Sequence, residues 1–114
     1  MSDKPLIKKS ITFAKNIINL YEYLNNIRKE NIMSKQLLRS GTSIGANIHE
    51  ANYAVSKPDF IAKMHIALKE CYESEYWLKI LSETGYISED FQFLINDCGE
   101  MRRMLVATCN TAKK

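Results

Sequence analysis

The sequence predicts an all-α fold, an elongated up-down four-helix bundle with short connections, in which residues 1–114 make a single domain. Three observations predict it. A chain of 114 residues has room for one core, because chains divide into separate cores only at greater length. Four segments carry apolar residues at helical spacing, and short polar breaks separate them. Finally, 4 Gly and 2 Pro are too few for the many tight turns of an all-β sandwich. With 46% hydrophobic residues the chain is also too apolar for intrinsic disorder.

In the first helix Pro5 suits the first turn, with Ser2 or Asp3 as cap. Ile7, Ile11, Ala14, Ile18 and Tyr21 define one apolar stripe, and Leu6, Phe13, Ile17, Leu20, Leu24 and Ile27 lie beside it as a second. Together they span an arc wider than one partner helix covers, so this helix is expected to touch two neighbours. The polar run Arg28, Lys29, Glu30, Asn31 closes it.

Ser34 is the expected N-cap of a second helix reaching about Val55, with Leu37, Gly41, Ile44, Ile48, Ala51 and Val55 on its packing seam. Ser40, Gly41, Gly45 and Ala46 add little bulk, which lets another helix approach closely. Each interior Gly costs about 1 kcal/mol of helix propensity, which points to a packing reason. Ser43, Asn47 and Glu50 line up on one flank, facing either water or a buried hydrogen-bond network that fixes register or an intersubunit contact.

Ser56, Lys57, Pro58, Asp59 reads as a capping box opening a third helix, with Pro58 tolerated in its first turn. Phe60, Met64, Ala67, Cys71, Ser74, Leu78 and Leu81 form its seam, and Thr84 with Gly85 ends it. Such a helix is roughly 40 Å long, which makes the bundle elongated. Ser88, Glu89 and Asp90 make an acidic start for a fourth helix, whose seam is Phe91, Leu94, Cys98, Met101 and Leu105. Gly99 falls inside that helix without a capping role, and Lys113 and Lys114 suit its negative end.

The residues that carry chemistry give no constellation. Cys71, Cys98 and Cys109 are an odd number without CxxC spacing, which speaks against a disulfide framework or a zinc site and for a reducing cytoplasm. Cys71 and Cys98 fall on seams, where a thiol is inert. His49 and His65 lack a carboxylate or second His one turn away on the same face, so neither suits a metal. Glu70, Glu73 and Glu75 are adjacent acids, of which Glu75 is spaced to pair with Lys79. No Gly-rich phosphate loop or nucleophile turn occurs, and no stretch approaches the roughly 18 apolar residues of a membrane span. The expectation is a non-enzyme with no catalytic residue, cofactor, metal, small-molecule substrate or membrane partner.

Charge is the remaining signal. The net value is +3, and Lys4, Lys8, Lys9 and Lys15 against Asp3 place all of it in the first twenty residues. These four lysines, with Arg28, Lys29, Lys35 and Arg39 at the junction of the first two helices, are the candidate surface for RNA or a nucleoprotein partner. The alternative is a protein-interaction adaptor without nucleic-acid binding. It would use the extra apolar stripe of the first helix and the Tyr72, Tyr76, Trp77 edge of the third.

Two runs carry a family resemblance: RSGTSIGANIHEANY from Arg39 to Tyr53, and FIAKMHIALKECYESEYWL from Phe60 to Leu78. They resemble the four-helix-bundle family of 23S rRNA-intervening-sequence proteins. Arg39, Ser43, Ile44, Asn47, Ile48 and Glu50 match its second-helix motif, and Ala67, Glu73, Ser74, Glu75 and Leu78 its later one, while Ala51 stands where the family commonly has Gly. The resemblance implies a structural or intersubunit role for these motif residues and a ring-shaped homopentamer. It also implies similarity to the accessory protein of diversity-generating retroelements, which acts with nucleic acid.

Overall fold

The computed structural model describes residues 4–113, with the backbone alone at Lys4; the expected caps Ser2 and Asp3 and the terminal Lys114 lie outside the described residues. Four helices follow in order: α1 (Lys4–Asn26), α2 (Met33–Ala51), α3 (Lys57–Glu83) and α4 (Phe93–Ala112). Short connections oblige consecutive helices to run antiparallel. Each packs on the next and α4 returns to α1, with α2 on α3 the most extensive contact and α1 on α4 the thinnest. The bundle measures 45 × 20 × 19 Å, as the length of the third helix requires.

The two stripes of α1 have different fates. Leu6, Phe13, Ile17, Leu20 and Leu24 are buried, each contributing about 1.5–3 kcal/mol of apolar burial. Ile7, Ala14 and Tyr21 are only half-buried, and Ile11 and Ile18 remain 50% and 44% exposed. The helix does meet two neighbours, α2 and α4, but one stripe serves both. Glycine explains why so little of α1 is covered on the α2 side. A Cβ on Gly41 would stand 3.1 Å from Ile17 Cγ1, and one on Gly45 3.2 Å from Ser10 Oγ. The α2 backbone therefore lies directly on α1, with no side chains between to reach the outer stripe. Ile27 falls beyond the end of α1 and is 67% exposed, not part of the core.

The start of α2 differs from the expected Ser34 cap, because Glu30 caps the helix from outside. Its carboxylate accepts hydrogen bonds from the backbone N–H groups of Ile32 (3.0 Å), Met33 (2.9 Å) and Ser34 (2.8 Å). The Ser34 hydroxyl instead donates back to the Glu30 carbonyl at 2.9 Å. A carboxylate on a two-carbon stem reaches three free N–H groups from outside the helix, which a serine hydroxyl cannot do. At its other end α2 stops at Ala51 and leaves Val55 92% exposed, because the chain must reverse before Ser56.

Ser56 caps α3 as its spacing predicts, with Oγ accepting from Asp59 N–H at 3.2 Å. The reciprocal bond is shifted by one residue, since the Asp59 carboxylate accepts from Val55 N–H. Met64, Ala67, Cys71, Ser74, Leu78 and Leu81 are all buried on the seam. Gly85 turns the chain out of α3 at φ +82°, a conformation that favours glycine. Ser88 precedes not α4 itself but a 3-10 turn over Glu89–Phe91, and α4 starts at Phe93. Phe91 packs against Tyr23 of α1, with ring centroids 5.2 Å apart.

Candidate nucleic-acid interface and association surface

Three of the eight candidate cations, Lys9, Arg28 and Arg39, are engaged in contacts between elements. Arg39 lies across the α2–α3 contact, where Nη1 meets Glu70 Oε1 at 3.2 Å and Nη2 donates to Glu73. Glu73 also accepts from Trp77 Nε1 at 3.1 Å. The Arg39 guanidinium, then the indole N–H, hold the Glu73 carboxyl below its ordinary value against the opposing effect of burial. Lys9 is drawn across the thin α1–α4 contact to Glu100, with Asp97 4.0 Å away. Arg28 donates to the carbonyls of Gly85 (2.9 Å) and Tyr86 (3.1 Å) in the turn that follows α3, and its guanidinium lies over the Tyr86 ring.

Lys8, Lys15, Lys29 and Lys35 are exposed and have no carboxylate within 4.0 Å among the described residues. The side chain of Lys4 lies outside the described residues. Lys8 and Lys15 share a face of α1 two turns apart, whereas Lys29 and Lys35 sit at the far end of that helix, roughly 25–30 Å from Lys8. The exposed cations are thus spread along the bundle and do not make a single cluster.

Some of the motif residues bridge helices and others are bonded within α2. Ile44 and Ile48 are core. Ser43 Oγ donates to the Arg39 carbonyl at 2.6 Å and Asn47 Nδ2 to the Ser43 carbonyl at 2.8 Å, both within α2. Glu50 reaches Lys63 of α3 at 3.3 Å. Ser74 is fully buried, with its Oγ 2.8 Å from that of Ser40. Glu75 does not pair with Lys79 as its spacing suggests; it accepts from Arg102 Nε of α4 at 2.9 Å, directly above Gly99. An ion pair between helices is invisible to spacing rules that count along one helix. Gly99 lies beneath that pair, where a Cβ would make only ordinary contacts, with Glu75 Oε2 at 3.7 Å.

Cys71 and Cys98 face each other across α3 and α4 with sulfurs 3.8 Å apart, each thiol within reach of the other's sulfur and backbone carbonyl. Their mutual hydrogen bond and burial push the Cys98 thiol far up, which keeps it protonated and unreactive. His49 packs against the Tyr53 ring at 5.3 Å. Among the described residues no three His, Cys, Asp or Glu side chains are grouped to hold a metal ion, and no helix is long and apolar enough to cross a membrane.

Apolar surface is the other candidate feature. Ile11 and Ile18 crown the outer stripe of α1, while Tyr72 (50% exposed) and Tyr76 (56%) stand on the outside of α3. Beside these tyrosines an open groove of about 580 Å³ runs between α3 and α4, reaching Ile95 and Glu83. Trp77, expected on the same edge, is half-buried and packs edge-on to Tyr76.

Comparison with known proteins bears on both motif and fold. No curated protein matches the chain. Among solved structures, a protein of unknown function from the S23 ribosomal protein family of Bacteroides thetaiotaomicron VPI-5482 superposes with a TM-score of 0.92 at 50% identity, covering 96% of this chain and 99% of that one. The family model for the 23S rRNA-intervening sequence protein matches residues 3–107. With nearly the whole length matched and the second-helix motif built into the α2–α3 contact, this chain belongs to the 23S rRNA-intervening sequence protein family.

Proposed function

We propose that this chain is a non-enzymatic subunit of a cytoplasmic homo-oligomer, pentameric as the family resemblance implies, and that the assembly presents its basic α1–α2 surface to RNA or a nucleoprotein partner. One observation carries the reading: from Lys4 to Tyr21 the helix has no acidic residue, and its outward side combines exposed Ile11 and Ile18 with exposed Lys8 and Lys15. Apolar surface of that kind marks an interface. Assembly multiplies a cation set that is weak in one copy, since linked sites bind far more strongly than single ones.

Light scattering and a salt titration test the two halves. A mass several times that of the 13.2 kDa chain is expected. Affinity for single-stranded RNA should fall steeply between roughly 50 and 200 mM salt if phosphates are contacted. Absence of RNA binding at low salt removes the nucleic-acid half.

A protein-interaction adaptor is the second reading, and a specific observation favours it. Lys9, Arg28 and Arg39 are engaged by other groups of the same chain, which leaves the basic surface thinner than its sequence suggests. An oligomer that shows no salt-dependent RNA affinity supports this reading over the first.

A further inference from the structure

The outer stripe of α1 and the groove between α3 and α4 lie on opposite sides of the bundle. The helices pack mainly on their sequence neighbours and α4 closes on α1, so the α1–α2 side and the α3–α4 side are two opposite outer layers. Lys9 reaches α4 and Ser10 lies against α2 at Gly45; the next 100° step carries Ile11 past the α2 contact, away from α4. Ile7, Ala14 and Ile18 follow Ile11 by helical spacing and complete a ridge about 16 Å long. On the opposite layer Tyr72 to Glu83 line the groove over the same eleven-residue rise, also about 16 Å.

Charge decides which surface the ridge meets. Residues 1–56, which make the α1–α2 layer, carry eight Lys and Arg against four Asp and Glu, whereas residues 57–114 carry eight against nine. Ridge against ridge brings two basic layers together. Ridge against groove sets the basic layer of one copy on a layer of balanced charge, whose groove lining carries Glu75 and Glu83 against Lys79, and Glu83 accepts a lysine flanking the ridge.

We propose that the Ile7–Ile11–Ala14–Ile18 ridge of one copy docks into the Tyr72–Tyr76–Ile95 groove of a second copy of this chain. The inference rests on the self-association put forward above and assigns the surfaces that perform it. The contact is heterologous, so each copy offers one ridge and one groove and the assembly grows head to tail, closing when the rotation per copy divides a full turn.

Complementation between two disabled chains tests it. A ridge variant, Ile11→Asp with Ile18→Asp, keeps its groove; a groove variant, Tyr76→Asp with Ile95→Asp, keeps its ridge. Each alone should be a folded monomer by circular dichroism and light scattering, and an equimolar mixture should form a one-to-one dimer and nothing larger. Should an Asp pair impair folding, Ile11→Ser with Ile18→Ser and the single Tyr72→Glu act on the same surfaces more gently. A native chain that is itself monomeric overturns the self-association reading. A native oligomer whose ridge variant stays assembled, or whose two variants stay monomeric on mixing, overturns the assignment of ridge to groove while assembly stands. The latter is also the outcome if RNA or an unrelated protein occupies the groove.

Discussion

The hydroxyl oxygens of Ser40 on α2 and Ser74 on α3 lie 2.8 Å apart at the centre of the largest helix contact, and both residues are fully buried. Ser74 donates its proton to the Glu70 carbonyl at 2.9 Å, so Ser40 is the donor between the two. The relay is directional. Its only other contact is a long 3.4 Å approach of Ser40 Oγ to the Leu37 carbonyl.

That direction makes the two serines unequal. Ser74→Ala strands a buried hydroxyl at Ser40 and should cost about 1–3 kcal/mol, whereas Ser40→Ala leaves the Ser74 proton satisfied and should cost about 1 kcal/mol. The double variant should be less destabilised than the sum of the two. Urea unfolding of the three variants measures this, and equal single costs with full additivity would contradict the relay.

Glu30 makes stability depend on acid. Burial pushes its carboxyl up, but hydrogen bonds from the backbone of Met33, Ser34 and Ile32 outweigh that and hold it below the ordinary value of 4.5. A carboxyl lowered in the folded state stabilises above its unfolded value, and the contribution is lost as pH falls through the folded one. Glu30→Gln should therefore lower stability at pH 7 by about 0.5–2 kcal/mol, the range of a helix cap, and by much less near pH 3. Denaturation curves of both proteins at the two pH values test it.

The two buried glycines should respond to alanine with opposite signs. At Gly99 a Cβ meets nothing closer than 3.6 Å, so Gly99→Ala should stabilise α4 by about 0.5–1 kcal/mol. At Gly41 it comes within 3.1 Å of two carbons of Ile17, which is fully buried and has nowhere to move. Overpacking of about 1–3 kcal/mol then outweighs the gain in propensity, and Gly41→Ala should destabilise. Thermal melts decide both signs.

If RNA is bound, Lys15 and Arg39 should contribute differently. Lys15→Ala removes an exposed cation and should reduce the salt slope of RNA affinity by about 1. Arg39, committed to Glu70 and Glu73, should leave the slope unchanged when replaced by Ala, with a stability loss of at most about 1 kcal/mol because the pair is half-exposed. Equal slope changes at both positions would show that the pair opens to receive phosphate.

Within α3, periodicity alone located the seam. Met64, Ala67, Cys71, Ser74, Leu78 and Leu81 are inside because a seam position depends only on local winding and on which side chains avoid water. Ser56 and Gly85 are equally local, and the sequence determines them as cap and stop. Relations between helices belong to the tertiary structure. Whether the Leu6–Leu24 stripe or the Ile7–Ile18 stripe of α1 turned inward, whether Glu75 met Lys79 or Arg102, and which cations stayed exposed all depended on how closely the backbones approach. Glycine at 41 and 45 allowed that approach on α2, and distances across a contact have no counterpart along the chain.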